Sequence, residues 1–164
     1  GVEPAVKPAA KSSQKQKVAI LTTQATANNK RFLSLVAQHS VTTDVFIQPC
    51  PGLVEQIELG ATSSAKTREL LAAYILPLKE KGIDKLVLGC THYPMLHKEI
   101  LELVGNDIEL IDTGLPVAKQ LLNILQQLKI LNTPTKQTQP NIWFSTLPLS
   151  NKVTSAFQKD WQLL

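Results

Sequence analysis

The chain has no apolar run long enough to cross a bilayer, and no charged-then-apolar leader opens it, so neither a membrane span nor a secretory signal is expected. Cysteine is scarce: Cys50 and Cys90 are the only two and stand in different contexts, which gives no disulfide framework and fits a reducing cytoplasm. A dominant charge is missing as well. The net charge is +4, and the seventeen basic residues are scattered rather than gathered into a stripe, so nucleic acid is not called for as a partner. Among the three histidines no pair has ligand spacing. His39 and His97 read as solvent-facing helix positions, and no metal is expected. What remains is 43% hydrophobic and 18% charged residues over 164 positions, the composition of a packed soluble domain.

The apolar pattern along the chain alternates between two periods. Residues 11–17 form a polar Lys, Ser and Gln linker, and a strand follows over 18–22. Asn28 or Asn29 is placed to cap a helix carrying Phe32, Leu33, Val36 and Ala37 on one face, ahead of a second strand over 43–48. Residues 54–58 look helical. Thr62, Ser63 or Ser64 then begins a longer helix with Leu70, Leu71, Tyr74 and Leu78 at helical spacing, closed by Lys79, Lys81 and Gly82. A strand over 86–88, a helix ending near Val104, a turn at 105–107 and a strand over 108–111 follow. Lys98, Glu99 and Glu102 read as a solvated helix face. Strands alternating with helices predict an α/β fold, a parallel sheet wound on both sides.

The chemistry concentrates at LGCTHYP, residues 88–94. Leu86 to Leu88 suits a strand covered on both faces, and Gly89 breaks the run where the strand leaves the sheet. Ligands of open α/β sheets bind outside such carboxyl ends, which makes Cys90, Thr91 and His92 candidates for a site. A thiol with a pKa near 8.5 is only about 3% thiolate at neutral pH, so Cys90 needs a neighbour to favour its reactive form. His92 is the nearest. A thiol beside an imidazole suits acid/base work and nucleophilic attack alike. The plain alternative is that Cys90 is a small buried hydrophobe.

LGCTHYP with its preceding apolar strand resembles the second cysteine motif of glutamate racemases. Three further stretches are similar to that family in the same order: GVEPAVKPA at 1–9 to the hinge between its two domains, VAILTTQAT at 18–26 to the strand and Thr-x-x-Thr loop opening its second domain, and CPGLVEQIELG at 50–60 to a CP-x-LV-x-x-x-E-x-G segment. The resemblance implies catalysis without a cofactor. One cysteine removes the α-proton of glutamate, the small-molecule substrate, and a second on the other domain returns a proton to the opposite face. It further implies that Cys90 is the second-domain thiol, His92 the imidazole beside it, and Glu58 the carboxylate that holds that imidazole. Thr91 would place a hydroxyl on the substrate, with Thr23 and Thr26 lining the same pocket. A carboxylate beside an imidazole favours its charged form and fixes its tautomer.

The family's first catalytic half, with its Asp-Ser turn, PYG segment and ACNTA-like cysteine motif, has no counterpart in these residues. Cys50, between Pro49 and Pro51, matches a non-catalytic position and reads as a structural or loop thiol. The expected organisation is a hinge and linker over 1–16, the second α/β domain over 17–111, and a return segment over 112–164 that packs on the first domain. In that reading the chain is a carboxyl-terminal portion of a longer cytoplasmic enzyme of cell-wall synthesis, inactive alone, whose full length allows a homodimer. Asp112-Thr113-Gly114 shares its letters with aspartic proteases, yet it precedes helical spacing over 116–125 and reads as a cap. Beyond it a loop over 132–140, a strand over 141–146 and a helix holding Phe157 and Trp161 are expected. Alternatives are a related aspartate or hydantoin racemase, or a non-catalytic remnant or interaction module.

Overall fold

Four parallel strands, β1 (Lys17–Thr22), β2 (Asp44–Pro49), β3 (Lys85–Leu88) and β4 (Glu109–Ile111), line up in the order β2-β1-β3-β4. This computed structural model describes residues 5–131. The helices among them are α1 (Val6–Ser12), α2 (Gln24–Ala27), α3 (Lys30–His39), α4 (Leu53–Glu58), α5 (Ala65–Glu80), α6 (His97–Val104) and α7 (Gly114–Gln127), with a 3₁₀ turn at Tyr93–Leu96. The chain divides into two units after Thr113. The first holds the sheet. Of the second, the described part is α7 with its few following residues, and the expectations for 132–164 lie outside the described residues.

Side chains leave a strand on alternate faces, and here both faces are covered. Val18 and Ile20 of β1 join Val87 of β3 in a cluster with Val6 and Ala9 of α1 and Phe32 and Val36 of α3. Ala19, Leu21, Leu86 and Leu88 point the other way, into a larger cluster with Leu53 and Ile57 of α4, Leu71 and Ile75 of α5, and Ile100 of α6. Two covered faces explain why these strands are unbroken apolar runs. Burying each such Leu or Ile contributes about 1.5–3 kcal/mol. The α/β sheet wound on both sides that the sequence predicts is the one observed.

From β1 the chain passes to β2 on one flank, then crosses back to β3 on the other. The strand order therefore reverses between β1 and β3, which opens a crevice outside their carboxyl ends. Leu21 pairs with Leu88, so the segments starting at Thr22 and Gly89 emerge side by side.

Two caps resolve choices that the sequence leaves open. Asn29 caps α3, accepting from the amides of Arg31 and Phe32, and Ser64 caps α5, accepting from the amide of Thr67. The inward face of α3 differs from the expected one. Phe32, Leu35 and Val36 face the sheet, whereas Leu33 and Ala37 are exposed, because i, i+3, i+4 spacing from Phe32 selects Leu35 and Val36. The polar stretch from Lys11 is helical as far as Ser12, as the tail of α1, whose Val6 and Ala9 are fully buried. The turn after it is fixed from the start of the neighbouring strand β3: the Asp84 carboxylate accepts from the Ser13 hydroxyl at 2.5 Å and from the amides of Gln14 at 2.6 Å and Lys15 at 3.1 Å.

Candidate functional site

Cys90 is positioned by a close approach of two backbones. A Cβ on Gly89 would lie 2.7 Å from the Leu21 carbonyl oxygen and 3.0 Å from a methyl of Ile20, so only a residue without a side chain fits where β3 leaves the sheet. The Gly89 N–H donates to that same carbonyl at 2.8 Å. Cys90 follows, half-buried against the larger cluster.

The chain then tightens. The Tyr93 amide donates to the Cys90 carbonyl at 3.1 Å and the Met95 amide to the His92 carbonyl at 3.0 Å, which folds Cys90, Thr91 and His92 into a turn ahead of the 3₁₀ segment. Tyr93 is fully buried under this turn and its hydroxyl donates to the Thr22 carbonyl at the end of β1, at 3.1 Å. Burial, with Cys50 and Cys90 close by, holds its phenol well above the ordinary tyrosine range.

Within the turn, Cys90 Sγ lies 3.9 Å from Nδ1 of His92, and His92 Nε2 lies 3.5 Å from Oε1 of Glu58 at the end of α4. Thiol, imidazole and carboxylate thus form a line, with each ring nitrogen facing one partner. The His92 side chain is 28% exposed and that of Glu58 59%, so the ion pair adds little to stability. Its effect is on orientation: a carboxylate at Nε2 holds the ring with Nδ1 turned toward the sulfur.

Thr23 and Thr26 follow the end of β1, in the N-cap and first turn of α2. The Thr23 hydroxyl accepts from the Thr26 amide at 3.2 Å, capping α2, and donates to the Thr26 hydroxyl at 3.1 Å. Thr91 is exposed. Of the residues singled out from the sequence, Cys90, His92 and Glu58 are brought into one chain of contacts, and Thr23 with Thr26 into a second. His39 is half-buried at the end of α3, and His97 is exposed at the start of α6. Among the described residues, no group of three or more His, Cys, Asp or Glu side chains is arranged to hold a metal ion.

Cys50 is a different kind of thiol. It is 2% exposed, its Sγ donates to the Gln48 carbonyl at 3.3 Å and its amide to the Thr22 carbonyl at 2.9 Å. Burial pushes this thiol up to about 12, against a smaller opposing pull from the Thr22 backbone and the Tyr93 hydroxyl. A buried thiol of this kind is inert, as befits a structural position.

Two residues near the site escape a reading of the sequence. Tyr93 has no assigned role there, though a large aromatic with a polar tip next to a strand exit is a signal for an anchor. Glu99, expected on a solvated face, is only 8% exposed and its carboxylate accepts the Ser63 hydroxyl at 2.5 Å. The local pattern held no sign of this, because the partner lies 36 residues away.

A family model described as Asp/Glu/hydantoin racemase matches residues 1–121. The glutamate racemase of Pseudomonas paraeruginosa is 44% identical over 147 residues, covering 90% of this chain and 55% of that protein. That of Ectopseudomonas mendocina is 46% identical over 137 residues, covering 84% and 52% respectively. The chain therefore spans about half the length of the curated relatives it matches. Among solved structures, Escherichia coli glutamate racemase in complex with L-glutamate and the activator UDP-MurNAc-Ala aligns with a TM-score of 0.79 at 26% identity, over 97% of this chain and 60% of that one. Francisella tularensis glutamate racemase in complex with D-glutamate aligns with a TM-score of 0.75 at 30% identity, over 90% and 54%.

Proposed function

Because the chain belongs to the Asp/Glu/hydantoin racemase family, we propose that it supplies one catalytic half of a glutamate racemase, with Cys90 as one of two opposed thiols. The observation that carries this reading is the line from Cys90 through His92 to Glu58 in the crevice between the carboxyl ends of β1 and β3. In one direction the Cys90 thiolate takes the α-proton: the C–H bond breaks, an S–H bond forms, and the electron pair moves into the adjacent carboxylate. A thiol from the other half then donates its proton to the opposite face of that carbon. In the reverse direction Cys90 is the donor. His92, held by Glu58, passes protons to and from the sulfur, which is half-buried and within reach of solvent through the imidazole. No cofactor takes part.

Thr91, Thr23 and Thr26 supply hydroxyls for the amino and carboxylate groups of glutamate. The half-chain organisation follows from the same reading: a hinge over 1–16, the thiol-bearing domain over 17–111, and a return segment over 112–164 that packs on the other half. Shares of 55% and 52% of the relatives support reading the chain as about half of such an enzyme. Glutamate, rather than aspartate or a hydantoin, is favoured by the names of the relatives and by the two glutamate-bound structural neighbours. D-glutamate made in this way would enter peptidoglycan in the cytoplasm, from a full-length protein able to pair as a homodimer.

The test is deuterium incorporation at the α-carbon of L- and D-glutamate in D₂O, followed by NMR. The chain alone should give none, since the pocket has one wall. Addition of the complementary half, in cis or in trans, should give exchange with inversion that Cys90→Ala abolishes. Turnover by the isolated chain, or exchange that survives Cys90→Ala, would overturn the two-thiol reading.

A further inference from the structure

The contact between Glu58 and His92 joins two exposed or half-exposed side chains from different elements at 3.5 Å. Exposed ion pairs hold themselves together weakly, so their alignment is set by the backbones that carry them. Those backbones are α4 with the connection that follows it, and the turn that leads into α6.

The connection from α4 to α5 is pinned at both ends. The Gly60 amide donates to the Ile57 carbonyl at 2.8 Å and the Ala61 amide to the Gln56 carbonyl at 2.9 Å, which ties its start to α4 just past Glu58. The fully buried Thr67 donates its hydroxyl to the Ala61 carbonyl at 2.7 Å, and Ser64 caps α5, which ties its end. Between these lies Ser63. It donates across to Glu99, in the first turn of α6, directly after the 3₁₀ turn that follows His92.

Apolar packing also joins the two sides, through Leu53 and Ile57 on α4 and Leu96 and Ile100 on the other. Packing of that kind fixes the layer spacing but is non-directional. A hydrogen bond to a buried carboxylate is short and directional, and fixes position along the layer. We propose that the Ser63–Glu99 bond is a positioning pair that sets Glu58 opposite His92. It acts on the Cys90 thiol only through those two groups, and rests on reading them as the partners of that thiol.

The rate of Cys90 alkylation by iodoacetamide, measured by mass spectrometry on the full 164-residue chain at neutral pH, tests this. Cys50, buried, stays unlabelled in the folded protein. Glu58→Gln, which removes the charge facing the imidazole, is the reference and should slow alkylation about 3-fold. Ser63→Ala should slow it by at least half as much. Glu99→Met, which places an apolar group of similar length in the same buried space, should match Ser63→Ala. Glu99→Gln keeps an oxygen for the Ser63 hydroxyl and should restore the native rate. In the Glu58→Gln background, Ser63→Ala should change nothing further, since its effect runs through Glu58.

Equal slowing by Ser63→Ala in both backgrounds would mean general loosening and overturn the proposal. So would a native rate in Ser63→Ala and Glu99→Met while Glu58→Gln is slow, an outcome that leaves the site reading standing. A native rate in Glu58→Gln would overturn the pairing of Glu58 with His92 and the proposal with it.

Discussion

The Tyr93 hydroxyl and the Cys50 amide donate to the same acceptor, the Thr22 carbonyl, at 3.1 Å and 2.9 Å. One backbone oxygen at the end of β1 thereby gathers the exit of β2 and the turn that carries Cys90 and His92. Tyr93 contributes its whole ring to the core and its polar tip to this junction.

Tyr93→Phe keeps the ring and removes the tip. It should lower unfolding stability by about 1 kcal/mol, the net value of one buried neutral hydrogen bond. Tyr93→Ala leaves a cavity as well and should cost about 3–5 kcal/mol. Urea titrations of the two variants measure both numbers, and an unchanged midpoint in Tyr93→Phe would show that the hydroxyl is not needed to hold the turn.

Gly89→Ala places a methyl 2.7 Å from the Leu21 carbonyl oxygen, which is backbone and cannot swing away. The backbones of β1 and β3 must separate at their carboxyl ends, at a cost of about 1–3 kcal/mol typical of overpacking. Because Cys90 is the next residue, its alkylation rate should change together with stability. A variant as stable as the native chain, with Cys90 reacting at the native rate, would contradict the requirement for glycine here.

Asp84 predicts the acid response. Burial raises its carboxyl, but the Ser13 hydroxyl, the amides of Lys15 and Gln14, and the charge of Lys85 together pull harder and hold it below the ordinary carboxylate value. The folded value lies under the unfolded one, so the contribution is fully present above about pH 4 and is lost as the pH falls through the folded value. Asp84→Asn should lose about 1–3 kcal/mol at neutral pH. It should also show a shallower fall of urea midpoint with acidification than the native chain. Parallel pH profiles for the two would rule out Asp84 as a source of the acid slope.

Much of this architecture is legible in the chain itself, where local chemistry and global position agree. The runs through Val18 to Leu21 and Leu86 to Leu88 are unbroken because helices cover both faces, and that is visible without coordinates. Cys90 and His92 are two residues apart, so their proximity follows from the turn. Glu58 is another matter: its approach to His92 depends on how α4 crosses the sheet, and in the sequence only a family resemblance points to it. Leu33 reads as inward because it is apolar, yet the helix turns Leu35 inward instead. Glu99 looks solvated because its neighbours Lys98 and Glu102 are, and nothing local signals a hydroxyl arriving from Ser63. α1 hides in a polar stretch because two small apolar residues, Val6 and Ala9, are enough to dock one short helix.

The bond between Thr22 and Tyr93 closes 71 residues of chain. Helices such as α3 and α5 depend on contacts within a few residues and form on microsecond timescales, whereas pairing β1 with β3 must first overcome the entropy of that long closure. Thiol, imidazole and the end of β1 therefore come together only when that closure is made. A chain whose circular dichroism has already recovered should still lack a native environment around Cys90, and the site becomes the clock by which completion of this fold is read.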